Sequence, residues 1–215
     1  MLYYTADLPF PVTHTPDIFT HFRKEVEKYI QIREPLAAPV KGDFQPLSTR
    51  LEEGVIPDLA TFGHTVTSVD DRSVLAFEGG ETVALKRLQH YLWDTDSIKN
   101  YKETRNGLVG GDYSTKFSVW LAQGCISPKR IYAELKKYEA ERGKNKSTYW
   151  IFFELLWRDF FRLMAKKHGN HIFLSGGTKQ EATYALRNDE KLLQKWIDGK
   201  TGIPFIDANL SLIHI

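Results

Sequence analysis

At 215 residues and 24.8 kDa, with 42% hydrophobic and 26% charged side chains, the chain has the size and balance of one large globular domain. The single cysteine, Cys125, excludes an internal disulfide. No apolar run reaches the length of a membrane span, and residues 1–20 lack the charged start and apolar stretch of a signal peptide, so export and a membrane partner are not expected. The net charge of +2 is unevenly spread. Residues 1–80 carry 7 Lys and Arg against 12 Asp and Glu, a balance of −5, whereas residues 99–167 carry 15 against 7, a balance of +8. The middle of the chain suits an anion, and the phosphates of a cofactor or of nucleic acid are the candidates.

Pro9 and Pro11 discourage regular structure in residues 1–13, which read as a connector. From Asp17 to Ile32 the apolar positions Ile18, Phe19, Phe22, Val26, Tyr29 and Ile30 recur at helical spacing. They follow Thr15-Pro16, an N-cap and first helical residue, and predict one amphipathic helix. Residues 34–80 scatter Pro and Gly without sustained periodicity and read as an irregular arm with a short helix near 57–62. Gly79-Gly80 marks a change: residues 81–105 are helix-forming, with Leu85, Leu88, Leu92 and Trp93 on one side, and the fold is expected to begin there. A glycine-rich loop at 106–112 leads through Tyr113-Ser-Thr-Lys-Phe-Ser118 into an apolar run to Ala122. Ser127-Pro128, cap and proline in order, opens a helix to about Arg142 with Ile131, Leu135 and Tyr138 inward. Asn145 to Lys167 predicts a long helix, the glycines from 169 to 177 break it, and Asp189 to Ile197 is a last short helix before Gly199. Strand signals are few and no repeat is visible, so the fold class is mainly α.

Two stretches carry chemistry. Asp112 to Ser118 follows a glycine-rich loop and opens a helix, where free backbone N–H groups, the hydroxyls of Ser114, Thr115 and Ser118 and the Lys116 cation suit a pyrophosphate; a plain Ser/Thr-capped helix start fits the same residues. The second, Trp150 to Arg162, plants Glu154 and Arg158 in the most aromatic segment of the chain. Four apart, the two share a helix face and can pair, with Trp157 on the same side. Either this is a core helix with one satisfied ion pair, or it lines a pocket for a flat, polar-edged ligand. His168 and His171 lack further ligands, so no metal is expected, and no nucleophile elbow, Walker loop, Rossmann fingerprint or zinc spacing supports hydrolytic or P-loop chemistry.

Five segments, Tyr101-Lys-Glu-Thr-Arg-Asn106, Asp112 to Ser118, Gly124-Cys-Ile-Ser-Pro128, Glu154-Leu-Leu-Trp-Arg-Asp-Phe-Phe161 and Thr201-Gly-Ile-Pro-Phe-Ile-Asp-Ala-Asn209, together resemble the cryptochrome/photolyase flavoprotein family. The Tyr-Ser-Thr-Lys-Phe-Ser form, and Leu2-Tyr to Phe10 ahead of Asp17-Ile-Phe-Thr-His-Phe-Arg23, are similar to its DASH-type branch. The resemblance implies an inter-domain connector at 1–78 with one amphipathic helix and the N-terminal part of an all-α FAD-binding domain at 79–209. It also implies blue-light electron transfer from FAD to a cyclobutane pyrimidine dimer flipped out of DNA, and an antenna folate, methenyltetrahydrofolate, in a full-length parent. The roles it implies are these. Tyr101 and Ser114, Thr115, Lys116, Phe117 and Ser118 hold the cofactor phosphates and ribityl chain, and Arg158 lies beside the flavin. Glu154 reaches the cofactor and hydrogen-bonds the pyrimidine, Trp157 stacks on it, and Arg105 contacts the DNA backbone. Alternative readings are a blue-light photoreceptor or nucleic-acid-binding cryptochrome without repair, and a structural helical fragment without cofactor.

Departures from the family pattern bear on these roles. Leu186 stands where the family has an electron-transfer tryptophan, Val119 replaces a usual proline, and Ile151 takes the place of a flavin-site tryptophan of some photolyases. The family's antenna domain and the later part of its flavin pocket find no counterpart here. Leu210 to Ile215 resembles instead the translation of a sequencing-library transposon end, a non-native tail. On this reading the chain is an intracellular protein's inactive fragment with weak or absent flavin binding, and organelle targeting of the parent is not visible in it.

Overall fold

The computed structural model describes residues 1–40, 42–44, 51, 52, 54–66, 68–71, 73–179 and 187–211, and among them the regular structure is helical. Eight α-helices follow in order among these residues: α1 Phe19–Tyr29, α2 Glu81–Gln89, α3 Tyr101–Thr104, α4 Ser118–Gln123, α5 Pro128–Arg142, α6 Lys146–His168, α7 Glu190–Ile197 and α8 Pro204–Ser211. They divide between two compact units, Met1–Val69 with Ser73–Lys167 and Asp70–Arg72 with His168–Ile215, each in its described residues.

In the first unit α6 is the spine. Its 23 residues span about 35 Å at 1.5 Å per residue. Asn145 starts it, its side-chain oxygen accepting the N–H groups of Ser147 at 2.8 Å and Thr148 at 2.9 Å. The hydroxyl of Ser147 then donates to Glu103 and that of Thr148 to Glu139, so one helix start ties down α3 and α5. Ile151, Leu155, Leu156, Phe160 and Leu163 form its buried stripe at intervals of four, one, four and three.

Phe19, Phe22 and Val26 of α1 pack on that stripe, each worth roughly 1.5–3 kcal/mol once out of water. Helix α1 begins later than the sequence suggests, because Thr15 is not its cap. The Thr15 hydroxyl donates to Val12 O at 2.7 Å inside a preceding 3-10 turn, which leaves Ile18 at the helix start, half-exposed with Tyr29. Lys167 of α6 then holds this entry, donating to Thr15 O and to the Asp17 carboxylate. Among its described residues the arm at 34–80 contributes one 3-10 turn, Ala60–Phe62, inside the stretch where a short helix is expected.

Helix α5 follows its pattern: Ser127 Oγ accepts the N–H of Arg130 at 3.0 Å, and Ile131, Leu135 and Tyr138 are buried. The helix-forming stretch 81–105 is divided among several short elements. After α2 the chain widens into a π-helical turn at His90–Asp94, and Asp96 adopts a left-handed φ of 56° before a 3-10 turn leads into α3. The Asp96 carboxylate accepts the hydroxyl of buried Tyr138 and pairs with Lys99, which holds this break against α5.

In the second unit Asp189 caps α7 through Leu192 N, as its position predicts. Helix α8 lies beyond the last helix that the periodicity marks. Its start is set by Asp207, whose carboxylate accepts from Thr201 N, Thr201 Oγ1 and Gly202 N, with Gly202 at φ 85° completing the turn. Leu210 and Ser211 belong to α8, while the rest of the expected non-native tail, and Leu186, lie outside the described residues. No described helix is long and apolar enough to cross a membrane.

Candidate cofactor cleft

One face of α6 borders a cleft of about 860 Å³, the size range of small-molecule and cofactor sites. Glu154, Leu155, Arg158, Phe161 and Arg162 supply the α6 wall; Ser114, Thr115, Lys116, Phe117, Ser118 and Ala122 stand opposite, with Tyr101 at the junction. The eight residues to which the resemblance assigns cofactor contacts thus meet around one space.

Arg158 decides what that space accepts. Sequence spacing allows it to pair with Glu154, but the structure separates the two. Arg158 Nη2 donates to the carbonyl of Leu121 at 3.2 Å, one of the carbonyls that the end of α4 leaves open, and Nη1 is buried without a partner. Burial, then the neighbouring Arg162 cation, holds its guanidinium below the ordinary arginine range. A desolvated cation with an unused N–H is satisfied by a ligand that brings an acceptor or a negative charge.

Glu154 has a different counter-ion. Its carboxylate pairs with Arg105 Nη1, and both side chains keep about a third of their surface in water, 33% and 31%. The Arg105 guanidinium also lies over the Trp150 ring, 5.6 Å from its centroid. Tyr101, next to this pair, has its hydroxyl pushed up to about 12 by burial and then by the Glu154 charge. It therefore stays a neutral hydroxyl at physiological pH.

The opposite wall is shaped by a residue that sequence reasoning missed. Arg87 of α2, only 6% exposed, donates to Gly111 O at 2.9 Å, Ser114 O at 3.0 Å, Thr115 O at 3.0 Å and Asp112 Oδ1 at 2.6 Å. One planar guanidinium gathers three carbonyls and a carboxylate, so the loop must fold around it. Lys116 then takes a left-handed φ of 59°, its ammonium 3.5 Å from the Tyr113 ring centroid. Helix α4 has only six residues, so side chains rather than a long helix dipole give this wall its polarity. Burial pushes the Asp112 carboxyl up, but the hydrogen bonds from Arg87 and His90 outweigh it and hold the group below its usual range. A signal existed: Arg87 sits between Ala84 and Leu88 on the buried side of α2, a cation where the pattern calls for an apolar side chain. Arg162, eight residues past Glu154 on the same face, was likewise legible from periodicity alone.

Trp157 is not part of the cleft lining. It stacks on Phe19, centroids 3.6 Å apart with planes at 10°, and on Phe161 at 5.4 Å and 27°. Asp159 is a second residue the sequence did not flag: fully buried, its carboxylate accepts the backbone N–H groups of Leu2 at 3.1 Å and Tyr3 at 2.9 Å, fastening residues 1–3 to α6.

A profile of the FAD binding domain of DNA photolyase matches residues 150–214. Cryptochrome DASH of Danio rerio is 50% identical over 210 residues, covering 97% of this chain and 40% of that protein. Cryptochrome DASH of a Synechocystis strain is 47% identical over 215 residues, covering the whole chain and 43% of that protein. The crystal structure of a Synechocystis cryptochrome superposes with a TM-score of 0.87 at 48% identity, over 97% of this chain and 42% of that one. The chain thus spans about two fifths of the length of these relatives and carries the photolyase-type helical FAD-binding fold. Over nearly its whole length it is similar to DASH cryptochromes, and residues 150–214 match the FAD binding domain of DNA photolyase.

Proposed function

We propose that the cleft takes FAD and serves blue-light repair of cyclobutane pyrimidine dimers in DNA. The observation that carries the cofactor part is the unpartnered, buried Nη1 of Arg158 on a wall facing the Ser114–Ser118 loop. A flavin edge offers acceptors that satisfy that N–H, while the hydroxyls of Ser114, Thr115 and Ser118 with the Lys116 cation suit the phosphates and ribityl chain. Phe117 and Tyr101 complete the grip. The chemistry that FAD supplies when bound is absorption of blue light and delivery of an electron to the dimer.

The chain's own part in that reaction is to hold and to orient. Arg158 fixes the polar edge of the cofactor against α6. Glu154 accepts an N–H of the pyrimidine, Trp157 offers a stacking surface once Phe19 or Phe161 gives way, and Arg105 meets the DNA backbone. The +8 balance of residues 99–167 supports an anionic partner. Illuminating the FAD-loaded full-length parent with a thymine-dimer oligonucleotide, and following restored thymines by chromatography, tests the reading. Light-dependent restoration is expected. Strand binding without restoration favours a photoreceptor or nucleic-acid-binding role instead, and neither binding nor restoration refutes the DNA assignment.

A further inference from the structure

We propose that the Arg105–Glu154 ion pair is a latch that a nucleic-acid phosphate opens, so that capture of the strand backbone and exposure of the base-reading carboxylate are one event. The inference rests on the DNA reading above and deepens it. Arg105 is held on two sides: Glu154 accepts from Nη1, and the Trp150 ring lies under the guanidinium, its centroid 5.6 Å away. A phosphate arriving at the remaining N–H groups sets its charge beside the Glu154 carboxylate. Two anions sharing one guanidinium repel each other, so phosphate and carboxylate compete for Arg105.

The competition is winnable. With both side chains about a third exposed, the pair is an ordinary surface-type ion pair, weak enough for a strand to exchange. Once Arg105 turns to phosphate, Glu154 loses its counter-ion and its oxygens become free to accept N–H groups from a base edge. The cost of opening is met once and shared by both contacts, which makes them mutually reinforcing. In the closed state the Glu154 carboxylate shares its charge with Arg105, so a base without a backbone phosphate meets a weaker acceptor.

The latch reverses a sign that additive contacts would not. Anisotropy titrations with a short abasic deoxyoligonucleotide, which presents phosphates without bases, and with oligothymidylate of the same length read it on the purified chain. Glu154→Gln is expected to bind the abasic strand roughly two- to five-fold tighter than the parent, since Arg105 is released, and to show no such gain with oligothymidylate. Arg105→Ala is expected to weaken the abasic strand and to flatten its salt dependence by roughly 0.7 in log–log slope. Glu103→Gln removes the same charge two residues before Arg105 without being its hydrogen-bond partner, and is expected to leave both titrations unchanged. Equal abasic binding by Glu154→Gln and the parent, or an equal gain in Glu103→Gln, overturns the latch; if Arg105→Ala still weakens binding, the DNA reading survives. No effect of Arg105→Ala, or no strand binding at all, overturns both.

Discussion

Replacing Arg87 by Gln tests whether the loop that lines the cleft is held from behind. The substitution removes four hydrogen bonds, one to a carboxylate and three to backbone carbonyls. Bonds involving a charged group contribute about 1.5–3 kcal/mol each when counted singly, but they do not add. Asp112 is 44% exposed and regains water when the pair is lost, and the loop carbonyls of Gly111, Ser114 and Thr115 are only partly covered. Net destabilisation of about 2–4 kcal/mol is the expectation, the range for losing one partner from a mostly buried polar network. With a urea slope of roughly 2 kcal/mol/M, the midpoint falls by about 1–2 M. Arg87→Lys keeps the charge but not the planar fork, so it recovers less than half of that. Circular dichroism during urea titration measures both variants. A midpoint for Arg87→Gln within about 0.3 M of the parent would falsify the view that this guanidinium organises the loop.

Opposite pH responses are expected at two aspartates. Asp112 has a depressed carboxyl, so its contribution is present above the ordinary carboxylate range and is lost as pH falls through its folded value. The buried Asp159 has a raised carboxyl, chiefly through desolvation, so the unfolded chain ionises first and stability falls as pH rises from the ordinary Asp value towards the raised one. Urea midpoints against pH should lose the first trend in Asp112→Asn and the second in Asp159→Asn; unchanged profiles refute the respective assignment. Asp159→Ala strands the N–H groups of Leu2 and Tyr3 and should cost about 2–4 kcal/mol, with proteolysis near residue 3 as an independent readout. Phe19→Ala removes the ring stacked on Trp157; a loss of about 3–5 kcal/mol and a red-shifted tryptophan emission are expected, and an unshifted spectrum contradicts the stacking. Ser127→Ala should cost about 1 kcal/mol through its lost cap, and no change in midpoint would show that Pro128 suffices to start α5.

Much of the helical framework is legible without coordinates. Ser127-Pro128 and Gly143 bound α5, and Asn145 opens a helix whose stripe from Ile151 to Leu163 is visible as periodicity. Where the reading failed, a competing hydrogen-bond partner, near or far in the chain, overrode the expected pattern. The Thr15 hydroxyl went to a neighbouring turn rather than to α1, and residues 81–105 broke at Asp96 because Tyr138, 42 positions later, takes its carboxylate. Helix α8 was missed because it has few apolar repeats and is held by Asp207 reaching back to Thr201.

The same division runs through the cleft. That Glu154, Arg158 and Arg162 share a face follows from spacing, and the motif segments carried the family resemblance. Spacing could not assign partners. It allowed Glu154 and Arg158 to neutralise each other, yet Glu154 found Arg105, 49 positions away, and Arg158 found the carbonyl of Leu121, 37 positions away. Local sequence determines which side chains a helix presents, because that depends on the 3.6-residue turn. Which charge each one meets depends on what tertiary packing brings against that face, and packing alone left Arg158 with an N–H still to be satisfied.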